Sequence, residues 1–188
     1  MAGSGISRED AVRLMESRIS GIALRRHCLA AGAIMAALAS NRGEDAGAWE
    51  AAGLLHDLDF EETADTPERH GIPAAEAVAD LLPGPLVHAI LAHNAENNGH
   101  ERSTPEDHLL TAAECITGLI SATALIQPDR RLSSVSAESV LKRMNKSGFA
   151  RAVNRDGIMS CERAGIGLPE FVGLSLSAMS AIAEDLGL

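Results

Sequence analysis

The sequence predicts an all-α protein, and three observations carry that prediction. Apolar residues recur at three- and four-residue spacing through most of the chain. The punctuation is that of helix ends, with Ser or Thr ahead of acids, Pro at first helical positions and Gly or Asn behind the last apolar residue. Strand formers are scarce: 188 residues include three Phe, one Trp and no Tyr, while Ala, Leu and Ile dominate the apolar set. A chain of this length can fill one full-sized core. No repeat, low-complexity tract or long linker divides it, so the expectation is one compact helical bundle over 1–188.

Each element follows in order. Ser7 with Glu9 and Asp10 behind it caps a short helix over 7–17. Leu24, Leu29, Ile34 and Leu38 mark a helix over 22–40 that ends at Asn41 and Gly43. A third helix starts near Asp45 and reaches His56-Asp57. The stretch 59–73 is charged and holds Pro67 and Gly71, which predicts an exposed loop. Helices over 74–82 and 85–93 are separated by Pro83-Gly84-Pro85. Residues 94–103, with Asn97-Asn98-Gly99, predict another loop. Thr104, Pro105, Glu106 and Asp107 open a long helix to about 127. The remainder predicts helices over 136–145, 155–164 and 169–186.

Composition narrows the function classes. Sixteen basic against 26 acidic residues give a net charge of −10, which argues against a nucleic-acid or anionic-membrane surface. The apolar run 116–126 is about half a membrane span. Residues 1–7 lack the charged-then-apolar profile of a signal peptide. Cys28, Cys115 and Cys161 are widely spaced and form no paired motif, as expected for small buried thiols in a reducing cytoplasm. Together these predict a cytoplasmic protein with no membrane partner.

The chemistry centres on His56-Asp57, an imidazole and a carboxylate at the end of an apolar helix. Such a dipeptide also suits a plain helix C-terminus, with His on the macrodipole and Asp bonded into the loop. Asp59 and Glu61 nearby, and His27 on the preceding helix, favour a converging cluster. His27 alone also reads as a core histidine bonded to a carbonyl. His88 and His93 flank opposite edges of the Leu86/Val87/Ile90/Leu91 stripe, and helical periodicity does not choose between them. His100 and His108, in or beside polar segments, read as surface residues. Glu114 lies mid-helix on an apolar stretch, with Thr117, Gly118 and Ser121 on its face. A carboxylate there calls for a partner or a metal, although small neighbours also permit close helix packing. Mixed imidazole and carboxylate donors suit Mn, Fe, Zn, Co or Ni as one or two divalent ions, with Asp57 able to bridge two. Such an ion acidifies water and polarises a phosphoryl oxygen.

These residues resemble the HD-domain superfamily of metal-dependent phosphohydrolases. The likeness rests on Arg26-His27, on Ala52-Gly-Leu-Leu-His-Asp-Leu-Asp-Phe60, on Ala89-Ile-Leu-Ala-His-Asn94 and on Thr117-Gly-Leu-Ile120 with Ala124-Leu-Ile-Gln-Pro-Asp129. Ser147-Gly-Phe-Ala-Arg-Ala-Val-Asn-Arg-Asp156 extends it toward the small bacterial HD hydrolases. The resemblance implies a metal-site core over about 20–127 and a C-terminal helical part over 128–188. It implies His27, His56, Asp57, His70, His93 and Glu114 as metal ligands, and it favours His93 over His88. Glu114 stands where the family usually carries Asp. Asp57 and His93 are the implied catalytic residues, and Asn94, Lys142 and Lys146 the implied substrate contacts, the lysines within a basic cluster that includes Arg143.

The leading expectation is therefore a metal-dependent phosphohydrolase acting on a small phosphorylated compound or nucleotide. A di-iron oxygenase of the same superfamily and a catalytically degenerate metal-binding or interaction protein are the alternatives.

Overall fold

A computed structural model describes residues 5–188. Eleven α-helices and two short 3-10 turns make up its regular structure, with no strand among the described residues. The chain is all-α, as the periodicity predicts.

Helix α1 (Arg8–Arg18) is capped by Ser7, whose Oγ accepts from Asp10 N. Helix α2 (Ile22–Arg42) ends on Gly43 in the left-handed region at φ 73°. Asp45 caps α3 (Ala46–Leu55) by accepting from Gly47 and Ala48 N–H. Thr104 and Asp107 form a reciprocal capping box at the start of α7 (Pro105–Leu125). These ends lie where the sequence puts them, because caps are local chemistry.

Helices α2, α3 and α7 form the centre, with α2 packed on both of the others. Helix α4 (Ile72–Val78) packs on α5 (Gly84–Ala92), and α5 packs in turn on α3 and α7. In the C-terminal part, α8 (Ala137–Met144) and α9 (Arg155–Arg163) lie against α7, and α10 (Leu168–Ala181) lies against α2 and α8. One continuous apolar core runs from Ile6 to Leu186.

The α2–α3 crossing is close for an identifiable reason. A Cβ on Gly53 would lie 2.7 Å from the backbone of Ala31 and Gly32, and one on Gly32 would lie 2.9 Å from Leu54 Cγ. Two glycines thus let the backbones meet, and this brings His27 on α2 against His56 at the end of α3.

Four expectations are corrected. The 59–73 stretch is largely exposed, but not throughout: Asp59, Thr63 and Gly71 are buried and His70 is partly buried, because the Asp59 carboxylate accepts from Gly71 N–H and pairs with His70. The 94–103 loop contains α6 (Ala95–Asn98), closed by Gly99 at φ 76°. The last helix breaks at Ile182 before α11 (Ala183–Leu186), where Ile182 leaves helical geometry at φ −117°. His108 is partly buried and bonded to Ser160 Oγ at 2.9 Å, so it is no plain surface residue.

Helices α2 and α7 are long and apolar enough to cross a membrane, which a count of the run 116–126 alone overlooks. Both are packed against other helices of the fold, with 67% of the apolar window of α7 and 44% of that of α2 buried.

Candidate metal centre

Five segments distant in sequence supply the site. Two of its histidines are built alike: His56 follows the last residue of α3, and His93 follows the last residue of α5. Each keeps helical backbone angles and turns Nδ1 back on the carbonyl three residues earlier. The distances are 2.8 Å from His56 to Gly53 O and 2.5 Å from His93 to Ile90 O. A carbonyl only accepts, so Nδ1 carries the proton in both rings and Nε2 of the neutral ring is left with its lone pair.

The other two rings follow the same logic. His27 Nδ1 lies 2.9 Å from Thr117 Oγ1, and that hydroxyl donates its own proton to Glu114 O at 2.7 Å. Thr117 is therefore the acceptor and His27 Nδ1 the donor. His70 Nδ1 lies 3.0 Å from the buried Asp59 carboxylate.

All four Nε2 atoms turn on Asp57. Oδ1 lies 3.4, 3.2 and 3.5 Å from Nε2 of His56, His70 and His93, and Oδ2 lies 3.6 Å from that of His27. The rings also face each other, His27 and His56 at 3.2 Å and His70 and His93 at 3.0 Å between Nε2 atoms. The donor atoms fall into two groups, His27/His56/Asp57 and Asp57/His70/His93, which share the carboxylate.

A neutral imidazole has one N–H, and here it is spent on Nδ1. Paired lone pairs at 3.0–3.2 Å then repel unless a cation or an extra proton lies between them. The donor set therefore fits a divalent metal.

Electrostatics agree with that reading. Burial drives His56 down to about 3, only partly offset by Asp57, so its ring is neutral. Burial works against the charge on Asp57 too, but the surrounding histidines outweigh it and hold the carboxyl well below its usual range. His70 goes the other way. Burial opposes its charge, yet hydrogen bonds to Asp57 and Asp59 lift it to about 9. The metal-free ring thus holds a second proton, one that a metal must displace.

The five core residues of the predicted site are gathered here: His27, His56, Asp57, His70 and His93. Between the two downstream histidines left open by periodicity, His93 enters the cluster and His88 pairs with Asp107 at 2.9 Å. Glu114 lines the same cavity but stands outside both donor groups. Its Oε1 accepts from the Cys115 thiol at 2.8 Å, and burial raises its pKa. Asn94 also lines the cavity. Its amide N donates to Pro67 O and His70 O, and its oxygen accepts from Asn97, so the side chain holds the His70 segment in place. Lys142 and Lys146 are not brought to the site. They line a separate depression on α8 with Ser136 and Arg143, because α8 packs behind α7 and on α10.

Phe60 and Asn98 enter the site without having been singled out for it, and Asp59 and Thr117, named only as neighbours of the cluster, enter it as hydrogen-bond partners of His70 and His27. Asn98 Nδ2 bonds both His70 O and Leu91 O. Asp59 had a weak signal as the second acid of a His-Asp-x-Asp run, and Thr117 lies three residues after Glu114 in the sequence.

No curated protein and no solved structure matches the chain. The family model described as HD domain matches residues 24–118. That span is just over half of the chain and runs from the turn before His27 to the residue after Thr117, enclosing every side chain of the cluster. Members of this family are generally metal-dependent hydrolases, and on this match the chain belongs to the HD domain family.

Proposed function

We propose that the protein is a metal-dependent phosphohydrolase acting on a small phosphorylated compound, with two divalent ions sharing Asp57. The observation that supports this best is the proton inventory: four imidazoles spend Nδ1–H elsewhere and aim Nε2 at one carboxylate. His27 and His56 would hold one ion, and His70 and His93 the other. Ions so held supply Lewis-acid polarisation of a phosphoryl oxygen and a more acidic water.

The protein's own residues provide the rest. His93 presents its donor atom to the cavity from the end of α5 and Asp57 from the turn that follows α3, which positions the reacting groups. Glu114 is the one carboxylate of the cavity wall besides Asp57, and its raised pKa suits it to exchange a proton there. Three free, buried cysteines fit a reducing cytoplasm, which we take as the compartment.

Protein purified without chelator should carry divalent metal by elemental analysis and release phosphate from members of a phosphomonoester and nucleotide panel. The Asp57→Ala variant should lose most of the metal and the activity. Full metal retention in that variant would overturn the site. Iron content with oxygen-dependent turnover and no phosphate release would replace the reading with the oxygenase.

A further inference from the structure

The cavity over the donor cluster is about 360 Å³ and mixes polar and apolar lining. Its polar lining is the imidazole and carboxylate set with Asn94. Leu24 and Phe60 supply the apolar part of its lining. No Lys or Arg lines it. The nearby Arg102 is committed elsewhere, bonded to Glu96 and to His93 O.

Phe60 is 48% exposed, and no other aromatic is counted among the exposed large hydrophobic side chains. Single exposed apolar residues are ordinary on protein surfaces. This one differs in being held. Its backbone N–H donates to Asp57 O at 3.0 Å, within the turn that carries the shared carboxylate. Its ring meets His70 edge to face, with centroids 5.3 Å apart at 84°. A half-exposed phenyl ring in contact with His70 thus lines the cavity beside the metal donors, where an aromatic partner can pack against it.

We infer that the substrate is a phosphate monoester of an aromatic alcohol or a similar flat ring, with Phe60 and Leu24 holding the organic part and the metal donors taking the phosphate. This rests on the phosphohydrolase reading. With no Lys or Arg in the lining, the outer charges of a polyphosphate would find no protein cation beyond the ions held at Asp57, which disfavours polyphosphates. Phe60 is then the residue that sets specificity.

The test uses two non-hydrolysable probes, phenylphosphonate and methylphosphonate, titrated calorimetrically into metal-loaded protein. The wild type should prefer the phenyl probe by about tenfold. The ratio should fall close to one in Phe60→Ala and to an intermediate value in Phe60→Leu. Elemental analysis should show unchanged metal in both variants. Equal affinities in the wild type, or a preference that survives in Phe60→Ala, overturns the inference and leaves the phosphohydrolase reading intact. Metal loss from Phe60→Ala also overturns it, since the ring would then serve to prop His70. Failure of the metal-loaded wild type to bind either probe removes the phosphohydrolase reading and this inference with it.

Discussion

At the scale of single residues, the cluster depends on where each imidazole sends its Nδ1 proton. His56 and His93 use backbone carbonyls, which no substitution removes, whereas His70 depends on Asp59 and His27 on Thr117. His56-Asp57 was legible as a pair at a helix end, while the family resemblance, not periodicity, pointed to His70 and to His93 over His88. The supports of these ligands were not legible, because a carboxylate or hydroxyl that accepts one proton from across the fold follows no spacing rule. Asp59→Asn tests the distinction. The amide keeps the size but loses the charge that holds the His70 ring, and one of its two polar ends must face an N–H it cannot accept. Affinity at the Asp57/His70/His93 group should fall about 10–100-fold, while the His27/His56/Asp57 group changes little. Calorimetric titration with Mn²⁺ or Zn²⁺ should then show one tight site and one weak site. Two unaltered sites would remove Asp59 from any role in orienting His70.

At the scale of elements, helices with local caps were legible to within a few residues, as at Ser7, Asp45 and Thr104. The docking of the 59–71 segment was not, since its ends are held in by Asp59, Asn94 and Asn98 reaching across to His70 and Gly71. Charge and proline content describe such a segment as if it stood alone. The α2–α3 crossing is the other feature that needed three dimensions. Gly53→Ala would place a methyl 2.7 Å from the carbonyl of Ala31 and from Gly32 Cα, against backbone that cannot rotate away. The helices must separate, at a cost of about 1–3 kcal/mol, and His27 moves off His56 as they do. Urea unfolding should show a lower midpoint at unchanged slope, together with reduced metal content. Gly173→Ala is the control. It lies inside α10 with nothing within 4 Å of the added methyl. That change should stabilise by about 0.5–1 kcal/mol through helix propensity alone. A Gly53→Ala protein as stable as the wild type would show that the crossing tolerates separation.

At the scale of the whole molecule, the site ties together α2, α3, the 59–71 segment, α5 and α7, so its protonation is a property of the fold. Two of its groups titrate in opposite directions. His56 is depressed to about 3, so below the unfolded value near 6.5 the unfolded chain takes up a proton the folded one refuses. Stability from this group is therefore lost as pH falls from 6.5 toward 3. His70 is raised to about 9, so its contribution is complete below 6.5 and is lost as pH rises from 6.5 through 9. Each acts with a slope of up to about 1.4 kcal/mol per pH unit. The chelated protein should thus be most stable near pH 6.5 and weaken on both sides. Metal reverses the upper limb, because binding at Asp57/His70/His93 expels the His70 proton and tightens as pH rises toward 9. The stability gap between metal-loaded and chelated protein should widen steadily from pH 6.5 to 8.5, as read by chemical denaturation. In His70→Gln the chelated protein should lose its decline over that interval. A chelated wild type that is flat between pH 6.5 and 8.5 would mean that His70 carries no second proton, and that the two donor groups load metal without proton release.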